Sequence, residues 1–388
     1  MSARPDFTAA ERGDLVARWR MVAAGFRSLD QNLLAAGGVL LALGIVFAMA
    51  ASPAVTARIQ VEDSFHFAAR HALFAALGAA VLFAAAALPL IAVRRIGAVL
   101  YLLSLVLVGV AAFFFPDIKG AARWISLGAF SVQPVEILKP AIIVVWAWML
   151  SEHLKRPGFP GHWAALASLV PAALFLLAQP DVGQTALLGF VFGVMLLLTG
   201  VSWRWLVGGA VAAAGMGYAL YLFEPHVRAR VDAYLNPEER GYQVTQAIEA
   251  IKAGGLFGAG PGEGQVKRLL PDAHADFIYA VAAEEFGLFA SMGLVALFVW
   301  ILWRGLSRAS RLIDPFAQLA AAGLVTLLVT QAAIHIAVNL SLIPAKGMTL
   351  PFVSYGGSSM IGSALAFGFI LALTRKRPGA YLYDGGVQ

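Results

Sequence analysis

The chain contains no cysteine, which excludes disulfides and thiolate metal sites and leaves the redox compartment unmarked. Charge is scarce as well: 13 % of the 388 residues are Asp, Glu, Lys or Arg, against 60 % hydrophobic residues. A soluble protein of this length could not cover so much apolar surface. With a mean hydropathy of +0.78, the composition specifies a polytopic helical membrane protein. Also missing are a nucleotide-binding loop, an HExxH zinc spacing, a Ser-His-Asp signature and a calcium loop, so nucleotide bound on the inside is not indicated as an energy source. Residues 1–30 are polar and charged with no secretory cleavage pattern, and the first apolar run reads as an uncleaved anchor. The formal charge of +6 sits mostly at the ends of apolar runs, where it is a topology signal and not a nucleic-acid surface.

What the sequence has in abundance is apolar runs, near 33–52, 72–93, 97–115, 134–151, 163–178, 184–200, 205–223, 276–303, 316–340 and 358–374. They predict an all-α fold of about ten transmembrane helices over 33–374, flanked by tails at 1–32 and 375–388. If the N-terminus is cytoplasmic, sixteen of the 28 Lys and Arg fall on that side. Of the other twelve, six lie in one long connection, which a rule based on short loops leaves out. The bias places both termini inside.

That connection, about 224–275, is the one large extramembrane element and falls on the outer side. VTQAIEAIKAG reads as a short helix stopped by Gly254 and Gly255, followed by glycines at 258, 260, 262 and 264 that permit tight turns and close backbone approach. It is either a structured cap or a binding loop, and its length favours function.

Four polar groups converge on the outer side. In PDAHADFIYAVAAEEFG, Asp276 opens the eighth span, either as an ordinary first-turn Asp or as a working carboxylate, with His274 beside it. Glu284 and Glu285 lie two to three turns deeper, where an ionised side chain costs about 2.5 to 3.5 kcal/mol on insertion scales, so each needs a cationic partner or a polar cavity. In KGAARWISLGAFSVQPVEILKP, Lys119 and Arg123 offer positive charge, and Glu136 and Lys139 fall on one helix face. QPDVGQTA puts Asp181 in a very short turn, and IPAKGMTLPFVSYGGSSMIGS supplies Lys346 and hydroxyls including Ser358. The long loop adds Lys267 and Arg268. Together they outline an outward-facing polar site ringed by basic residues.

The combination of KGAARWISLG, QPDVGQTALL, the GGLFGAGPGEGQVKRLLPDAHADFIYAVAAEEFG run and PFVSYGGSSM resembles the SEDS family of bacterial cell-wall proteins, over about residues 30–375. PFVSYGGSSM and the charged N-terminal extension look more like the division branch than the elongation branch. The resemblance implies a peptidoglycan glycosyltransferase that polymerises lipid II on the periplasmic side of the bacterial inner membrane, at the septum. It also implies a class B penicillin-binding transpeptidase and other divisome membrane proteins as partners. The family's essential Asp maps to Asp276; members usually have Thr where this chain has Ala275, a departure that leaves the carboxylate intact.

The chemistry fits. A sugar hydroxyl must lose a proton as it attacks an anomeric carbon, and Asp276 can accept it. Pyrophosphate leaves with gathering negative charge, which Lys119, Arg123, Lys267, Arg268 or Lys346 can stabilise. A divalent cation, Mg or Mn, is chemically compatible but not required by the residues. Glu136, Asp181, His274, Glu284, Glu285 and Ser358 are supporting polar residues. Two rival readings use the same features: a lipid II flippase, with Glu284 or Glu285 coupling protons, and a noncatalytic division scaffold.

Overall fold

The computed structural model describes residues 25–116, 122–128, 130–236 and 241–376. Each expected span is a helix: α1 Gln31–Ile59, α2 His66–Ala86, α3 Leu90–Phe114, α4 Val135–Lys155, α5 Gly161–Ala178, α6 Val182–Leu198 and α7 Trp203–Phe223. The long connection holds α8 Pro225–Leu235, α9 Tyr242–Gly254 and a single 3₁₀ turn, Val266–Arg268; then follow α10 Ile278–Ala309, α11 Pro315–Asn339 and α12 Gly357–Leu373. A two-stranded hairpin, β1 Ile125–Leu127 with β2 Phe130–Val132, precedes α4. Seven of these helices are long and apolar enough to cross a membrane. α6 and α12 are shorter, at 17 residues each, and α4 carries Glu136, Lys139, Glu152 and Lys155 along its length.

Helix starts follow capping chemistry. Asp30 accepts the Asn32 and Leu33 amides, Asp181 accepts that of Gln184, and Asp314 accepts those of Phe316 and Ala317 with Pro315 as first helical residue. The core runs along α4, α11 and α12, where Trp146, Phe316, Phe367 and Phe369 are fully buried. These helices have little amphipathic pattern because neighbours surround them. α7 is the opposite case: none of its residues is buried.

The eighth span departs from expectation. It begins at Ile278, after Asp276, and is broken at Gly287, whose φ is +78°. The glycine-rich strap 255–260 docks across the break. Ala259 and Gly260 amides donate to the Glu284 and Glu285 carbonyls, and Leu288 and Phe289 amides donate to those of Gly255 and Leu256. A Cβ on Gly287 would lie 2.4 Å from the Gly258 nitrogen, so the approach needs glycine for space as well as for φ. Backbone groups freed by the break are thereby satisfied by the strap.

This break explains the two deep carboxylates. Glu284 accepts the Val266 and Lys267 amides at 2.7 and 2.8 Å. Glu285 pairs with the Lys267 ammonium, which also donates to the Ala50 carbonyl at 3.0 Å. Both carboxylates tie the long connection to α10, and Lys267 is buried as their partner. Removing one member of a buried pair typically costs about 3 to 5 kcal/mol, whereas replacing both with apolar residues can be neutral. Glu285→Leu is therefore expected to lower the unfolding midpoint in detergent, and Lys267→Met added to it to recover most of that loss. Equal midpoints for wild type and Glu285→Leu would remove the pair from the fold's support.

Candidate active site

Asp276 sits in the turn that leads into α10. Asp272 adopts a left-handed φ of +52°, and its carbonyl accepts the Ala275 and Asp276 amides at 2.9 and 3.1 Å. Two outside segments hold this turn. Ser354 Oγ donates to the Ala275 carbonyl at 2.7 Å while accepting the Leu350 amide at 2.8 Å, and the Tyr355 amide donates to the His274 carbonyl at 2.9 Å. From the end of α11, Asn339 Nδ2 donates to the Asp276 carbonyl at 3.1 Å, and its Oδ1 accepts the Ala280 amide at 3.2 Å. Apart from the Leu350 bond, these use backbone groups of 274–280, and none of them engages the Asp276 carboxylate.

That carboxylate lies against Gly347, where an added Cβ would stand 3.0 Å from Oδ2. Gly347 follows Lys346, so the Asp276 carboxylate packs on the loop that carries Lys346. The Lys346 ammonium is 2.7 Å from Asp181 Oδ1, and its stem lies on Gly183, where a Cβ would come within 2.2 Å of Cε. Arg123 reaches the same carboxylate, with Nε 3.3 Å from Asp181 Oδ2, and its Nη2 donates to the Pro180 carbonyl at 2.8 Å. Arg230 on α8 is within electrostatic range of Arg123, Asp181 and Lys346. The Tyr234 hydroxyl anchors α8 by donating to the Leu342 carbonyl at 2.8 Å.

Burial pushes the Lys346 ammonium below the usual lysine value of 10.5. Asp181 opposes that shift, while Arg123 and Arg230 add to it. QPDVG therefore encodes three functions in one turn: Asp181 caps α6, the same carboxylate pairs with two cations, and Gly183 is the floor under Lys346.

The structure brings Lys346, Asp181 and Arg123 together and packs Asp276 on the loop that carries Lys346, and it places the other candidates elsewhere. Lys119 lies outside the described residues. Lys267 is held by Glu285, and Arg268 is exposed at the end of its 3₁₀ turn. His274 is buried beside Phe67 and Tyr355, with ring centroids 4.4 and 4.9 Å away. Glu136 and Lys139 form a buried pair at 2.9 Å, with Lys139 also donating to Gln331 Oε1 at 2.8 Å. Gln331 passes this on to the Thr349 carbonyl at 2.9 Å, under the loop that carries Lys346. Ser358 Oγ accepts the Gln133 amide at 3.0 Å and fixes the approach to α4. Among the described residues no three His, Asp or Glu side chains converge as a metal-holding set, so a divalent cation beside Asp276 would draw its other ligands from a diphosphate.

Two contributors escaped the sequence reading: Arg230 and Asn339. Pro225 after Glu224 was the available sign for Arg230, since proline favours the first helical position and would have started a helix there. Asn339 reaches the turn through backbone groups 59 and 63 residues away, which no local pattern reveals.

Residues 30–378 match the FtsW, RodA and SpoVE family, described as cell cycle proteins. The chain belongs to this family. SEDS-family relatives align over nearly its whole length. It is 48 % identical over 358 residues to a Caulobacter vibrioides protein named "Probable peptidoglycan glycosyltransferase FtsW", covering 92 % of each chain. It is 35 % identical to the stage V sporulation protein E of Bacillus subtilis, covering 87 % of this chain and 94 % of that one. Among solved structures, a chain of a peptidoglycan synthase complex that coordinates polymerization and crosslinking superposes with a TM-score of 0.73 at 26 % identity, covering 89 % of this chain and 97 % of that one. The rod shape determining protein RodA of Thermus thermophilus gives 0.68 at 25 % identity, covering 90 % and 98 %. The expected SEDS-type, all-α, multi-pass membrane fold is therefore the fold of this chain.

Proposed function

We propose that this SEDS-family chain is a peptidoglycan glycosyltransferase that polymerises lipid II into glycan strands during septal wall synthesis. The single observation that carries the reading is that the Asp276 carboxylate packs on Gly347, the residue that follows Lys346, whose ammonium shares Asp181 with Arg123. One carboxylate and a cluster of cations are what this transfer requires. As the acceptor hydroxyl oxygen bonds to the anomeric carbon, its proton passes to Asp276 and the bond from that carbon to the diphosphate oxygen breaks. The electron pair leaves with the undecaprenyl diphosphate, where Lys346, Arg123 and Arg230 offset the growing charge. A diphosphate needs no protonation to leave, so a second carboxylic acid of the glycosidase kind is unnecessary.

The Lys and Arg distribution supports the site facing the periplasm, with both termini cytoplasmic in the inner membrane. A class B penicillin-binding transpeptidase and other divisome membrane proteins are the proposed partners. The complex found among the structural neighbours supports a crosslinking partner of that kind.

The test gives the purified chain, reconstituted with and without a cognate transpeptidase, labelled lipid II and follows both polymer and translocation. Polymer is the expected product. Translocation without polymer would move the function to a flippase, and neither would leave a scaffold. Gly183→Ala supplies a finer check, because the added Cβ displaces the Lys346 stem and not the backbone. Alanine also suits a helix better than glycine. Its expected result is an unchanged or raised unfolding midpoint with polymerisation at least tenfold slower by the electrostatic role of Lys346. Full activity would mean that the position of Lys346 is immaterial.

A further inference from the structure

A buried carboxylate among the cations of a diphosphate site needs a reason, since it subtracts from the charge that the site exists to provide. Asp181 is 1 % exposed, while the side chains of Lys346 and Arg123 keep 12 % and 17 % of their surface. The carboxylate is thus less accessible than the two cations it pairs. It cannot swing out freely, because Oδ1 also accepts the Gln184 amide at 3.3 Å as the cap of α6. Each oxygen holds one cation: Oδ1 the Lys346 ammonium and Oδ2 the Arg123 Nε.

Resting on the diphosphate reading above, we propose that Asp181 is a positioning residue and a built-in counter-anion for the leaving group. It aims Lys346 and Arg123, and its charge limits how tightly the released diphosphate is held. The physical reason is differential binding: cations that stabilise a leaving diphosphate also stabilise the free product, and excess affinity would slow each turnover. A fixed negative charge beside them lowers the field on the bound product while keeping the donors aligned.

The test titrates inorganic pyrophosphate into the full-length chain in detergent by calorimetry, for wild type, Asp181→Asn and Lys346→Met. Asparagine caps helices about as well as aspartate, so the first variant removes charge while retaining the cap. Wild type is expected to bind pyrophosphate, Lys346→Met to bind it more weakly, and Asp181→Asn to bind it about tenfold more tightly, as loss of one adjacent opposing charge implies. Polymerisation by Asp181→Asn should show a lower kcat and stronger inhibition by added pyrophosphate. A purely structural Asp181 would instead weaken binding when altered, as Lys346→Met does. That result, or unchanged affinity in Asp181→Asn while Lys346→Met still weakens it, overturns the counter-anion role alone. Equal binding by wild type and Lys346→Met overturns the diphosphate site and this inference together.

Discussion

Asp276→Asn is expected to slow glycan polymerisation by about 100- to 10,000-fold, the range contributed by a positioned general base. Asparagine has nearly the same shape and cannot accept the proton. The bonds from Ser354, Tyr355 and Asn339 go to backbone atoms of the turn, so the loop should keep its conformation in the variant. Lipid II should still bind and the unfolding midpoint should hold. Single-turnover measurement on labelled lipid II checks this, with binding measured in the same preparation. Equal polymer from the Asn variant would sink the assignment of Asp276 as base.

Lys346→Met is expected to lower kcat by about 100- to 1,000-fold, the usual loss when one preorganised donor to developing charge is removed. Methionine keeps an apolar stem over Gly183 while deleting the ammonium, so the effect reports charge and not packing. Arg123 and Arg230 remain, which should keep substrate binding within reach and put most of the loss in kcat. A pH profile adds a second readout. Burial depresses the Lys346 pKa, so the cation is lost as pH rises through a value below the ordinary 10.5. Wild-type activity should therefore decline on the alkaline side earlier than an exposed lysine predicts, and the limb assigned to Lys346 should be absent from the methionine variant. Unchanged steady-state kinetics would remove Lys346 from the site.

The features legible in the sequence were those written locally. Apolar runs gave the helices, because a bilayer demands length and hydropathy that few other structures need. The short helix in the long connection was visible from its periodicity and its glycine stop, and it forms as Tyr242–Gly254. Asp276, Asp181, Arg123 and Lys346 were each visible as charges out of place, in four motifs whose shared side follows from topology. Pairing was not visible. Lys267 carried the same charge as Lys346 and sat nearer in sequence to Asp276, yet it is buried against Glu285. The deciding feature is the break at Gly287, where a glycine inside an apolar run is ordinarily silent. Only the docking of residues 255–260 across it reveals why Glu284 and Glu285 lie so deep. Arg230 and Asn339 act across long sequence separations and carry no local mark.

In the proposed mechanism Asp276 and Lys346 act on one reaction event, one taking the proton while the other steadies the leaving charge. The most direct measurement is the single-turnover rate of the Asp276→Asn and Lys346→Met double variant, set beside both single variants and wild type with bound lipid II quantified in each. Groups that work as a unit are strongly non-additive, so the double variant should be within about threefold of the slower single variant. A loss equal to the product of the two single losses would show that they act independently, and would contradict the shared site.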